Sequence, residues 1–101
     1  MSKLINLFSD SDKLEGTKYY KKWHHLIEST LINNELWQGI CDGDIKPNKP
    51  TDVAALSKWE VKNAKALALI KSYVNDEMYV HIANATDAWS AFRFFKDFFD
   101  T

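Results

Sequence analysis

Apolar residues recur along this chain at three- and four-residue spacing, the mark of helices that turn one face to a core. The clearest set is Tyr19, Tyr20, Trp23, Leu26, Ile27 and Leu31, a stripe about four turns long. Thr17 is suited to cap its start, and Lys18, Lys21, Lys22, His25 and Glu28 fall largely off the stripe. Asn33-Asn34 should end or bend this helix, because Asn side chains compete for backbone bonds. A short second helix then carries Leu36, Trp37 and Ile40, and Cys41 to Pro50 reads as loop, with one Gly and two Pro. Thr51-Asp52 opens the longest helix, with Leu56, Trp59, Asn63, Leu67, Ile70 and Val74 along one face. Ala64, Ala66 and Ala68 are small enough to let a neighbour approach closely. Asn75-Asp76 ends it and caps a short fourth helix carrying Met78, Tyr79 and Ile82. Thr86-Asp87 caps a fifth, running from Ala88 towards Phe99. The pattern therefore predicts an all-α compact bundle of about five helices over residues 17–101, after an N-terminal arm at 1–16.

The last helix departs from an ordinary amphipathic pattern. Ala88, Trp89, Phe92, Phe95 and Phe99 share one side, and Ala91, Phe94 and Phe98 widen the apolar arc onto the next. Two readings follow. Either a small domain wraps this helix thoroughly, or Phe94 and Phe98 meet another subunit or a further segment of chain.

Composition narrows the class. A length of 101 residues allows one compact domain, and 46% hydrophobic residues with four tryptophans suffice for its core. Three glycines and two prolines are too few to punctuate a multi-stranded β protein. The formal charge of −1 lacks the basic excess by which nucleic-acid binders neutralise phosphate. The single cysteine, Cys41, cannot form an internal disulfide. No apolar run reaches the length of a membrane span, and the first residues do not form a signal peptide. A soluble intracellular protein is the expectation.

Candidate chemistry is sparse. His24-His25 with Cys41 or His81 lacks the spacing of metal ligands, since adjacent helical residues point about 100° apart. Cys41 adjoins an acidic loop that opposes thiolate formation. Neither Asp10, Asp12 and Glu15 nor Asp42 and Asp44 follow the order of a calcium loop. Lys18, Lys21 and Lys22 interleave with Tyr19, Tyr20 and Trp23 as on a nucleic-acid platform, but the aromatics stand at core spacing. The expectation is a chain without catalytic residues, cofactor or metal.

Four segments in order resemble the Gag proteins of Ty1/copia-type retrotransposons. They are Leu14 to Trp23, with its Gly, Tyr and Trp; Leu36-Trp37 followed by Gly43; Trp59 through Ala64 to Ile70; and Ile82-Ala83-Asn84-Ala85-Thr86-Asp87-Ala88-Trp89. The resemblance covers roughly residues 14–99 and implies a capsid N-terminal-domain-like fold, a structural block for virus-like particle shells. It makes Tyr19, Trp23, Leu36, Trp37, Trp59 and Trp89 the structural core motif. It also implies self-association as the partner chemistry, with the downstream Gag capsid half as a further partner and RNA engaged only indirectly. Membrane and small-molecule substrate are not expected, and the setting is cytoplasmic particles. The family's usual second helical half and Cys/His zinc knuckle have no counterpart here, so this is either an excised domain or a shortened descendant. The assembly surfaces expected first are Phe94 and Phe98, then Lys21, Lys22 and His25. The runner-up is a domesticated Gag-derived adaptor or inhibitory fragment that binds a capsid or another helical partner. The third is a helical nucleic-acid-binding domain.

Overall fold

A computed structural model of the chain describes residues 20–99. The N-terminal arm, Thr17 and Tyr19 lie outside them. Four helices follow in order: α1 (Tyr20–Asn33), α2 (Val53–Ser72), α3 (Asp76–Tyr79) and α4 (Ala88–Phe99). No strand occurs among the described residues.

The count is four rather than about five, because Leu36 to Ile40 does not form a helix. One α-helical turn closes there and goes no further: the Trp37 carbonyl accepts from the amides of Ile40, Cys41 and Asp42 at 2.9 to 3.2 Å. Gly39 holds φ at 76°, outside the right-handed helical region, so the turn cannot propagate. The end of α1 comes where the asparagines predict it. The Leu36 amide donates to the Leu31 carbonyl at 2.7 Å and the Glu35 amide to that of Ile32 at 3.1 Å. These are the paired bonds of a helix closed by a left-handed residue, and Glu35 at φ 59° is that residue. Asn34 adds a side-chain bond to the Thr30 carbonyl at 2.8 Å.

α4 is the central helix. Its Phe95 meets the edge of Trp23 with ring centroids 5.4 Å apart, and Phe92 stacks on the same indole at 6.3 Å. Phe99 stacks on Tyr20 at 5.0 Å, extending the seam along α1. On its other side α4 packs against α2. Trp23, at 1% exposure, also donates its indole N–H to the Tyr73 carbonyl at 2.6 Å, joining α1 to the end of α2. Burying an aromatic ring with its one polar atom satisfied is a large stabilising term.

The helices start where the sequence predicts, but at α2 the cap is the Asp52 carboxylate instead of the Thr51 hydroxyl, and no acid stands in the first turn. Asp52 accepts from the Ala55 amide at 3.0 Å, and Asn75 from that of Met78 at 2.9 Å. Asp87 accepts from the Ser90 amide at 2.8 Å. The buried side of α2 keeps part of the expected stripe, with Asn63, Ile70 and Val74 buried, and extends to Ala66 and Leu69 beside it. Asn63, Ala66, Leu69 and Ile70 are buried, while Leu56, Trp59 and Leu67 are half-buried and Ala64 and Ala68 exposed. Asn63, buried to 8% exposure, fills a polar place in the core. Its amide group donates to the Thr86 carbonyl at 3.1 Å, and its oxygen accepts from the Ala88 amide at 2.8 Å. It thereby fastens the middle of α2 to the start of α4.

Candidate functional site

Two surfaces stand out, and both are built on α4. The first is an aromatic ladder. His81 follows α3, and its ring stacks on Phe94 at 5.2 Å with 20° between planes. Phe94 stacks in turn on Phe98 at 5.7 Å and 22°. His81 also approaches Phe98 at 5.6 Å. Phe94 is half-buried and touches Phe95 edge-on, whereas Phe98 is 51% exposed. The wide arc thus divides: Ala91, Phe92 and Phe95 close the core, and Phe98 at its rim faces solvent. Tyr79 and Val80, next to His81 in the chain, are exposed as well.

The second surface is the loop from Cys41 to Pro50, which the sequence leaves irregular and the structure ties down. Trp89 donates its indole N–H to the Gly43 carbonyl at 3.2 Å. Arg93 donates to the Asp44 carbonyl at 2.8 Å and to its carboxylate at 3.2 Å, and Lys96 stands 3.7 Å from that carboxylate. Lys46 pairs with Asp87 at 3.1 Å. Trp59 donates to the Gly39 carbonyl at 2.9 Å, with Lys49 over its ring at 5.7 Å. Arg93 in turn lies over the Trp89 ring at 5.2 Å. The Arg93 hydrogen bond, then the charges of Lys96 and Arg93, hold the Asp44 carboxyl below its usual range. Burial pushes the Asp87 carboxyl upwards, but the Ser90 amide and hydroxyl and the Lys46 ammonium outweigh that, and its pKa is lowered.

The six residues of the expected core motif take different places. Trp23 and Leu36 are fully buried, and Trp37 packs half-buried with its ring edge-on to Phe92 at 5.5 Å. Trp59 and Trp89 are half-buried and spend their indole N–H groups on loop carbonyls, so they anchor the loop rather than fill the centre. Tyr19 lies outside the described residues. Of the expected assembly residues, Phe94 and Phe98 sit together on α4, whereas Lys21, Lys22 and His25 are exposed on α1. The loop anchors went unread in the sequence, because each joins residues some 20 to 49 positions apart.

A cleft of about 110 Å³ opens between α1, the loop and α4, with His24, Glu28, Cys41, Arg93 and Lys96 on its walls. That is below the roughly 300–1,000 Å³ of pockets that enclose organic ligands. Cys41 is buried, and burial, then the charges of Asp42 and Asp87, push its thiol up to about 12. Among the described residues no three His, Cys, Asp or Glu side chains gather as a metal site. No helix among them is long and apolar enough to cross a membrane. No family model, no curated protein and no solved structure matches this chain significantly.

Proposed function

We propose that this chain is a structural, non-catalytic module that self-associates to build shells, in the manner its resemblance to Ty1/copia-type Gag proteins implies. The observation that carries the reading is the ladder of His81, Phe94 and Phe98, stacked and open at Phe98 on the helix at the centre of the bundle. Rings already stacked lose little side-chain freedom on docking, so they suit a contact that must form many times with the same geometry. Shells grow from modest self-complementary surfaces multiplied by symmetry, on a body rigid enough to hold their angles. The seam of Trp23, Phe92 and Phe95 and the tied loop favour such a body. A near-neutral charge favours protein partners over nucleic acid.

Light scattering over a concentration series, with electron microscopy of the densest sample, tests the proposal. The expected result is growth into dimers, rings or shells, lost in the double substitution Phe94→Ser with Phe98→Ser while the helical circular dichroism is retained. A wild-type chain monomeric at every concentration would overturn shell building and leave the adaptor reading. Unchanged association in the folded double variant would overturn the role of α4.

A further inference from the structure

His81 is the one titratable ring in the ladder. Its imidazole stacks on Phe94 with centroids 5.2 Å apart and leans on Phe98 at 5.6 Å, and both it and Phe98 are exposed. Among the described residues the imidazole makes ring contacts and no hydrogen bond or ion pair. The segment that carries it is held in place. The His81 and Ile82 amides donate to the Met78 and Tyr79 carbonyls at 3.2 and 3.0 Å, and Ile82 is buried in the core. Beyond it the Lys71 ammonium of α2 donates to the Ala83 and Ala85 carbonyls at 3.2 and 3.3 Å.

A second copy that covers Phe98 covers His81 with it, because the two rings are in contact. An imidazole takes up a proton between about pH 5 and 8. Its charged form costs far more to bring out of water than its neutral form. Two attractions oppose that cost, and neither depends on docking. The faces of Phe94 and Phe98 attract a cation, but they lie against His81 in the single chain already. The groups on the elements beside it are Asp76, Glu77 and the Tyr79 phenol of α3 and Asp97 of α4, all exposed. Their acids act on the free chain as well. Lys71 adds a positive charge on the α2 side, and Arg93 and Lys96 of α4 are turned to Asp44. A ligand or partner shifts an equilibrium only by what it gains differently in the two states. Desolvation of the imidazolium is that difference. A self-complementary patch also sets the same residue of both copies in one contact, so two such charges would be enclosed together.

We propose that the charge on His81 switches docking at the ladder: with the imidazole neutral a second copy covers Phe94 and Phe98, and with it protonated the copies part. The proposal rests on the self-association reading and names the regulation of that surface. The docked state favours the neutral ring, so association is full on the alkaline side of the histidine range and is lost as the pH falls through it. Each imidazole that must shed its proton on docking weakens association by up to about tenfold per pH unit there, and a two-fold contact holds two.

Light scattering of the full-length chain at about pH 8 and about pH 5.5 tests the switch, beside His81→Phe, which keeps a ring and removes the proton site. Helical circular dichroism checks that each chain stays folded at both values. Wild type should associate about tenfold or more weakly at the lower pH, and His81→Phe should associate alike at both. His81→Gln, neutral but polar, should show the same indifference to pH. Equal association of the wild type at the two values overturns the switch while leaving self-association standing. A pH response undiminished in both variants overturns it too and assigns the response to other groups, His24 and His25 first. A wild type monomeric at about pH 8 at every concentration overturns self-association itself, and the switch with it.

Discussion

Asn63 provides the sharpest test of how this bundle is held together. Replacing it with Ala removes two hydrogen bonds, one to the Thr86 carbonyl and one from the Ala88 amide. Each bond is worth about 0.5–1.5 kcal/mol net. The two ends are not equivalent. Thr86 is exposed, so water can replace the lost donor. Ala88 is wholly buried, and its amide belongs to the first turn of α4, where no helical carbonyl can accept from it. At Ala88 the orphaning penalty of about 1–3 kcal/mol stands in place of the net bond value, and with about 0.5–1.5 for the Thr86 bond the sum comes to roughly 2–4 kcal/mol. Against the roughly 5–15 kcal/mol of an ordinary domain, that is a large share. Urea unfolding followed by the fluorescence of the four tryptophans measures it. With a slope of about 1–1.5 kcal/mol/M for a chain this size, the midpoint should fall by about 2 M. Asn63→Asp keeps the acceptor for Ala88 and adds a negative charge at the start of α4, so it should cost less than half as much. Asn63→Leu restores bulk without polarity and should fall with the alanine variant. A midpoint for Asn63→Ala within about 0.5 kcal/mol of wild type, or a wild-type midpoint for Asn63→Leu, would refute the clamp.

Two further outcomes follow from titrating groups. The Cys41 thiol, pushed up to about 12 in the folded chain, should resist an aromatic disulfide reagent at pH 8 and react at once in urea. Because its folded value lies above its ordinary 9.0, stability should be full below pH 9 and decline as the pH rises towards 12, with a smaller decline in Cys41→Ser. Equal labelling rates for folded and unfolded chain would refute this burial. For Asp87 the sign is opposite. Its folded value lies below the ordinary 3.8, so its contribution is present above pH 3.8 and is lost as the pH falls through the folded value. Asp87→Asn should flatten that part of the acid-unfolding curve, and an acid limb identical to wild type would count against the Lys46 and Ser90 contacts.

How much of this was legible in the sequence depended on the range of the interaction involved. The starts of α2, α3 and α4 were, to within one residue, because a cap bonds an amide three residues on; at α2 the cap is Asp52 and not the hydroxyl of Thr51 before it. So were the end of α1 at its asparagines and the doubled apolar arc of α4, which are periodic or local. The segment Leu36 to Ile40 was misread as a helix because its apolar spacing suits one. The positive φ of Gly39 and Glu35 outweighed that spacing, and a left-handed glutamate has no signal in sequence. On α2 apolar residues occur nearly all round, from Val53 and Leu56 to Val61 and Leu69, so periodicity alone did not fix the buried side. The expected line is buried at Asn63, Ile70 and Val74 and half-buried at Leu56 and Leu67, while Ala66 and Leu69 beside it are buried as well.

The candidate surfaces divide along the same boundary. The aromatic ladder was legible as a surplus: α4 has more apolar residues than one core face uses, and Phe98 is what remains. The loop was not legible, because its order comes from contacts with α4 far along the chain. Read alone, Ile45 is one apolar residue among Gly, Pro and charges, with no reason to be presented anywhere. Its neighbours Gly43, Asp44 and Lys46 are held by Trp89 and Arg93, on the helix that also carries Phe94 and Phe98, and by Asp87 just before that helix. One helix therefore carries both the ladder's phenylalanines and the anchors of the loop. Any shift of α4 against α1 and α2 would move ladder and loop together, so the core seam of Trp23, Phe92 and Phe95 fixes where the two surfaces sit on the bundle. That gives a physical reason for so many aromatic rings in so small a bundle: interlocked rings on α1 and α4 leave the core few alternative packings.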